Sequence, residues 1–474
     1  MNPVETPSRK NFKGSGLDFY SPRSASQTPS HGGGGHRRRW KNSSQAIDSM
    51  SPLSVGSMDA SFDNGNSSGM IDSKSSHRRA STLFGSPQIH QSSKEDLDVP
   101  AFVIDNGSGF LKAGYGTEDR PQIYIAAVGE AKYKRVILGS RRLDKVIVGT
   151  QRIGRLRGAL KLSYPTNAGV VSNWEHVQKL WENAYEEQRV SPRNHPLLMT
   201  EQPLCLMKHR ITTAEILYET MEVPSMCFQL PQVLGLYAVG NTTGLMVDSG
   251  DTLSSAVPIF DGRYDPNTVC VTNLAGRDVT QYLSRLLRLA GWNMTSSSEM
   301  EEVKRIKQKQ CATAFNLASA LRDYEDTGIG YKLPDGRVIK IGLEKFEAPE
   351  LMFQPSLMGK ENPGIHELVC NAISKCKTEH RRHIARQVIL TGGNTTFKGF
   401  EYRLMTSVKK LRKISGMTFK APERRVELAW AGGAVLSTLS LFKGMCTTKE
   451  EFLEYGAQVY YKKRAQDGVT EALV

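Results

Sequence analysis

The sequence predicts an α/β fold of two similar halves behind a long disordered tail. Three observations predict it. First, Ala101-Phe102-Val103-Ile104-Asp105 is an apolar run ending on a carboxylate, followed by Asn106-Gly107-Ser108-Gly109. That reads as a buried strand entering a glycine-rich turn, and Phe110 to Tyr115 continues as a second strand, making a hairpin. Second, the same design returns at Thr243 to Asp248, followed by Ser249-Gly250-Asp251-Thr252, and a third strand at Gln387 to Leu390 runs into Thr391-Gly392-Gly393-Asn394. Third, amphipathic segments lie between these strands. Asn173 is an N-cap candidate for a helix from Trp174, and Arg277 to Leu289 and Glu299 to Asn316 carry apolar residues three to four apart. Strands alternating with helices indicate α/β layers.

Residues 1–98 contrast with this. Ser and Gly dominate, apolar residues are isolated, and no period survives more than a few residues. The tail holds twelve Lys/Arg against nine Asp/Glu, so most of the chain's net charge of +14 falls on the remaining residues. Its five Ser/Thr-Pro steps, at Thr6, Ser21, Thr28, Ser51 and Ser86, and the Arg78-Arg79-Ala80-Ser81 site are phosphorylation candidates. Each phosphate would add roughly −1.5 to −2 charges and offset the tail's basicity.

Composition narrows the function classes. The chain has 474 residues and 39% hydrophobic content, enough for a large core. No stretch reaches eighteen apolar residues, so no membrane span is expected, and the N-terminal residues lack the apolar region of a secretory signal. Seven cysteines are scattered from Cys205 to Cys446 without a CxxC pair, which argues against a disulfide framework or zinc site and for a reducing compartment. The basic surface favours acidic partners and leaves nucleic acid open as an alternative.

An aspartate at a strand end beside small residues sets a carboxylate next to bare backbone N–H groups. Such N–H groups suit phosphate oxygens, and glycine lets the backbone come close. The carboxylate suits a hydrated magnesium ion. Two such loops facing each other would clamp a triphosphate, with Gly392-Gly393 left to accept the base.

These residues carry a family resemblance. The chain from about Val99 to Arg464 resembles actin and actin-related proteins along nearly its whole length. Asp105 to Gly114 is similar to the first phosphate loop of that family, and Thr242 through Asp251 to the second. Leu274-Ala275-Gly276-Arg277-Asp278, Leu333-Pro334-Asp335-Gly336, Phe353-Gln354-Pro355-Ser356, Gly364-Ile365-His366-Glu367 and Ala421-Pro422-Glu423-Arg424 match further signatures. Within the family, Ser296 to Glu299, Ala348 to Leu351, and Phe397 to Phe400 with Val408 to Leu411 look most like centractin, the subunit of the short dynactin filament.

The resemblance implies an actin-like ATPase fold: two similar halves, or four subdomains, around a nucleotide cleft. It implies subdomain 1 at 99–126, 164–238 and 427–464, subdomain 2 at 127–163, subdomain 3 at 239–274 and 361–426, and subdomain 4 at 275–360, with 465–474 as a C-terminal tail. It implies ATP or ADP with Mg2+, the cation held through water by Asp105 and Asp248. Asn106, Gly107, Ser108, Gly109, Phe110 and Lys112 would form the first phosphate loop, and Gly250, Asp251 and Thr252 would bracket the γ-phosphate. Gly276, Lys304, Lys307, Gln308, Gly392, Gly393, Phe397 and Arg425 would line the nucleoside pocket.

The sequence departs from the family where water is positioned for hydrolysis. The family's glutamine position is Pro231 here, its histidine position is Ser255, and the glycine after the loop aspartate is Thr252. Gln229 and Gln232 flank Pro231 as possible substitutes. Slow or absent hydrolysis with partly retained nucleotide binding is therefore expected. The filament-loop equivalent spans about Lys132 to Val148, with an apolar Val136-Ile137-Leu138, and a second apolar loop falls at Leu357 to Lys360, where Lys360 blunts the tip. The reading is a cytoplasmic, cytoskeletal protein that joins its own kind, other actin-family subunits or a dynactin-like complex. The alternative is a non-polymerising module of a multi-subunit complex, associated with chromatin in the nucleus.

Overall fold

The computed structural model describes residues 99–133, 137–138, 141–142, 145–323 and 330–466. The readings made on residues 1–98 and on 467–474 lie outside these. The described residues belong to one compact unit.

Two sheets organise it, and they share one topology. In the first half, β1 (Phe102–Asn106), β2 (Phe110–Tyr115) and β3 (Gln122–Ile125) form an antiparallel meander. Strands β4 (Leu197–Thr200) and β5 (Ser225–Gln229) then add in parallel beside β1. In the second half, β6 (Gly244–Ser249), β7 (Ser254–Ile259) and β8 (Cys270–Thr272) make the meander. Strands β9 (Val388–Thr391) and β10 (Phe419–Lys420) add in parallel beside β6. The spatial orders are thus β3-β2-β1-β4-β5 and β8-β7-β6-β9-β10, with β11 (Thr447–Thr448) extending the first sheet beyond β5. Parallel strands need both faces covered, and their near-continuous apolar runs supply that: Leu197 to Met199 and Val388 to Leu390 are buried throughout.

Helices do the covering. The first is α1 (Trp174–Gln188), whose cap is the one expected from sequence: the Asn173 Oδ1 accepts from the His176 N–H at 3.0 Å. It packs Val177, Trp181 and Tyr185 into one core with Phe102, Ile104 and Leu197. The second half has its own core, formed by α3 (Gly276–Leu289), α4 (Ser297–Gln310), α5 (Ile365–Lys375) and α7 (Phe400–Leu411) around β6 and β9. α4 stops at Gln310 rather than running to Asn316. Cys311 turns extended, Thr313 donates its N–H to the Lys398 carbonyl at 2.9 Å, and Asn316 instead caps the short helix Leu317–Arg322. The periodic apolar residues beyond Gln310 thus belong to a strand-like bridge, which periodicity over a few residues does not separate from helix.

α2 (Pro231–Ala238) and α8 (Leu428–Ser437) pack against each other where the halves meet. A Cβ on Gly432 would sit 1.7 Å from the Leu234 carbonyl oxygen, so only glycine permits that approach. No described helix is long and apolar enough to cross a membrane.

Of the expected filament loop, Ile137–Leu138 and Arg141–Arg142 pair as two short antiparallel strands, while 134–136, 139–140 and 143–144 lie outside the described residues. At the second loop, Leu357 is 37% exposed, but Lys360 does not stand at the tip. Its ammonium folds back to Asp278 at 2.5 Å, because a carboxylate in the first turn of α3 offers a better partner than solvent.

Candidate functional site

In both sheets the glycine turns follow the C-terminal ends of the parallel strands, where open α/β sheets present ligand crevices. A cavity of about 600 Å³ opens there. Asp105 and Lys112 reach it from β1 and β2, and Asp248 from β6. Gly107, Ser108, Gly109 and Phe110 line it from the first turn, Gly250 and Asp251 from the second. Gly392, Gly393 and Phe397 come from the turn after β9, and Gly276, Lys304, Lys307 and Gln308 from α3 and α4.

Three expected residues do not line the cavity. Asn106 faces the first core: its N–H donates to the Thr200 hydroxyl at 2.9 Å, and its Oδ1 accepts from the Trp181 indole at 3.2 Å. Arg425 folds over its own loop and reaches the turn after β9, donating to the carbonyls of Pro422 at 2.9 Å and Thr395 at 3.3 Å. Thr252 is buried and spans the cleft instead of opening on it. Its Oγ1 lies 2.7 Å from the Ser108 hydroxyl and accepts the Ala168 N–H at 2.8 Å. A hydroxyl at the glycine position therefore ties the second loop to the first. Sequence reasoning missed Gln202, Cys311 and Asn394 on the wall. Asn394 donates to the Gly250 carbonyl at 2.6 Å and joins the second and third turns. Its place beside Gly392-Gly393 was the one signal for it. Burial pushes the Cys311 thiol up to about 12, so it stays protonated and unreactive at neutral pH.

The two aspartates differ in their surroundings. Asp105 accepts from the Lys112 ammonium at 2.6 Å and from the Thr200 hydroxyl at 2.9 Å. Among the described residues Asp248 accepts only from the Gln232 amide, at 3.3 Å. Burial, then the nearby Asp105 charge, pushes its carboxyl up to about 6, while Lys112 and Gln232 pull the other way. A divalent cation between the two carboxylates would remove that repulsion.

The flanking glutamines have distinct fates. Gln229 folds onto its own backbone, its Oε1 accepting the Leu230 N–H at 2.9 Å. Gln232 is fully buried behind Asp248; its amide donates to the Ser255 hydroxyl at 3.0 Å, and its Oε1 has no hydrogen-bond partner among the described residues. Pro231 lines the cavity as the first residue of α2, where its missing N–H costs nothing.

The donor set fits a phosphate-bearing ligand with a hydrated cation. A Cβ on Gly109 would fall 2.7 Å from the Asp251 side chain, and one on Gly392 (φ +87°) 2.4 Å from the Asp248 carboxylate, so the turns close only with glycine. A Cβ on Gly393 would meet nothing within 4 Å, and Gly393 lines the cavity. Lys304 and Lys307 are buried cations, and no carboxylate forms an ion pair with either among the described residues. Lys304 sits over the Phe110 ring at 4.6 Å, and Lys307 donates to the Gly276 carbonyl at 2.7 Å. Burial pulls the Lys307 ammonium down to about 8. An anion would offset that cost.

Beside the cavity, residues 157–164 bond directly to α4. Arg157 donates to the Ser298 carbonyl at 2.6 Å and approaches Glu302 at 3.3 Å, and Tyr164 donates to Glu301. Asp251 is held by Arg277 at 2.7 Å.

The family model for actin matches residues 96–465, and the chain belongs to the actin family.

Proposed function

We propose that this actin-family chain is a cytoskeletal actin-related protein that binds ATP with Mg2+ and joins a filament or a dynactin-like assembly, with weak or absent hydrolysis. The observation that carries nucleotide binding is the convergence of Asp105, Lys112 and Asp248 with three glycine turns and the two buried lysines, Lys304 and Lys307, on one cavity. Asp105 and Asp248 would hold the hydrated cation, which would supply charge neutralisation for the phosphates. Ser108 and Lys112 would meet the β-phosphate, and Phe397, Gly392 and Gly393 the nucleoside. For Ser108 to do so, its hydroxyl must share or leave its bond to Thr252.

Weak hydrolysis follows from what surrounds the space beside Pro231. Proline offers no side-chain donor, Gln229 is spent on its own backbone, and Gln232 is held behind Asp248 by Ser255. A group that orients water must lie within hydrogen-bond reach of it, and its loss costs roughly 10²–10⁴-fold in rate. The finer, centractin-like reading rests on the sequence stretches Ser296–Glu299, Ala348–Leu351 and Phe397–Phe400. The four-subdomain boundaries rest on the resemblance to actin, and the cytoplasmic location on the cytoskeletal reading and the scattered cysteines. The second reading, a non-polymerising module of a nuclear complex, is favoured by Lys360, whose pairing with Asp278 ties down the loop at Leu357.

Titration of the full chain with a fluorescent ATP analogue is expected to give saturable binding that needs Mg2+ and falls at least about tenfold in Asp248→Asn. No affinity for any adenine nucleotide would overturn the reading. Sedimentation with ATP and Mg2+ separates the assemblies: pelleting supports a filament, and a persistent monomer supports the module.

A further inference from the structure

The chain's surplus charge is concentrated at one place that the cleft does not use. Between Glu379 and Glu423 there is one carboxylate, Glu401, against ten Lys and Arg. The fold gathers these cations. α6 (Thr378–Ala385) ends immediately before β9, and α7 ends before β10. Because β9 and β10 run parallel in register, Val388 beside Phe419, the two helix ends reach the same edge of the second sheet. The carbonyl of Arg386 accepts from the Thr418 hydroxyl there. Arg382 and Arg386 therefore stand at the same end of the sheet as Lys409, Lys410, Arg412 and Lys413, with Lys420 on the adjoining strand. All seven are exposed, and none forms an ion pair among the described residues. Burial pushes the Cys370 thiol on α5 up, the Arg412 guanidinium partly offsets it and Glu367 adds to it, so Arg412 lies near α5.

Cations at helix C-termini complement the backbone dipole, but that effect is confined to the last turn and calls for one or two charges, not seven. A surface of unpaired like charges is self-repelling, and it gains by meeting an anion array.

We propose that this edge binds the phosphate backbone of nucleic acid. The edge lies at the N-terminal ends of β9 and β10, opposite the strand ends that carry the cleft, so the proposal stands apart from nucleotide binding. Protein partners are held through apolar and aromatic anchors with few lysines, and here lysine and arginine dominate. A membrane-lying helix would show apolar residues outward. Ile384, Ala385, Leu404 and Val408 are turned into the core, and the exposed apolar side chains of α7, Tyr402 and Leu411, stand at its two ends and form no continuous stripe. A surface dominated by lysine and arginine is what sequence-independent phosphate contact requires.

The test is fluorescence anisotropy of the full chain with a labelled 30-base-pair DNA duplex from 50 to 300 mM salt. Two variants are compared, Lys409→Glu/Lys410→Glu/Arg412→Glu/Lys413→Glu and Arg382→Glu/Arg386→Glu. Thermal melting checks that each folds, and having two variants on separate elements keeps the test open should one fail. Expected is binding that weakens steeply with salt, is lowered at least about tenfold in either folded variant, and has a log–log salt slope reduced by roughly 2–4 in the fourfold one. Absent binding overturns the proposal. So does binding equal in wild type and variants, which would place it on the basic tail or elsewhere. Tighter binding to phosphatidylserine vesicles or poly-glutamate than to the duplex at the same salt also overturns it.

Discussion

The two halves repeat one topology, yet they treat their strand-end aspartates oppositely. Register makes the comparison residue by residue. Lys112 faces Asp105 across the first hairpin, and Ser255 faces Asp248 across the second. Thr200 ends the parallel strand beside β1, and Thr391 is paired with Asp248. In the first half both neighbours turn to the carboxylate. In the second, Ser255 accepts from Gln232, and Thr391 donates to the Arg425 carbonyl at 2.6 Å. The first half thus neutralises its charge internally, and the second leaves its charge for a proton or a cation. A repeated backbone fixes where a carboxylate stands, and the residues opposite it decide its chemistry.

The sharpest way to break this comparison is to remove each carboxylate. Asp105→Asn strands the buried Lys112 ammonium, and we expect a loss of roughly 3–5 kcal/mol in denaturant unfolding. A loss below about 1 kcal/mol would show that Lys112 finds another partner.

Asp248→Asn should act with the opposite sign. The folded carboxyl titrates at about 6 against 3.8 unfolded, so its contribution to stability is complete below pH 4 and is lost as pH rises through 6. Without nucleotide or divalent cation, the variant should exceed wild type by about 2–3 kcal/mol at pH 7.5, with the gap closing toward pH 4. A pH-independent gap would remove Asp248 as its cause. Excess Mg2+ and ATP should reverse the order.

Lys307 sharpens the same contrast on the cation side of the cleft. Its folded value of about 8 lies below the unfolded 10.5, so the unfolded chain binds the extra proton between those limits. Empty protein should then gain up to about 2–3 kcal/mol as pH rises through that window, and Lys307→Met should flatten the rise. Equal slopes in both proteins would refute the assignment.

The threonine pair gives the smallest difference. Thr200→Val removes a hydrogen bond to a charged group and should cost about 1.5–3 kcal/mol, against about 0.5–1.5 for Thr391→Val. Equal costs would mean that Asp105 draws nothing special from Thr200.

Sequence by itself determined the elements and the cleft's main parts. Apolar runs, glycine turns and caps act over a few residues, so β1, β6, β9 and the Asn173 cap were legible directly, as were Asp105, Asp248 and the glycines between them. The extent of α4 was not, because its end is set by a bridge from Thr313 to Lys398, far along the chain. Side-chain destinations were decided by tertiary structure alone. Gln232 lies behind Asp248, Thr252 reaches Ser108 and Ala168, Arg425 turns to its own loop, and Lys360 folds onto Asp278. The basic edge exists only because two parallel strands bring two helix ends together. A short polar side chain's partner depends on which of several acceptors lies within about 3 Å, and that distance is fixed by packing between segments separated by tens to hundreds of residues.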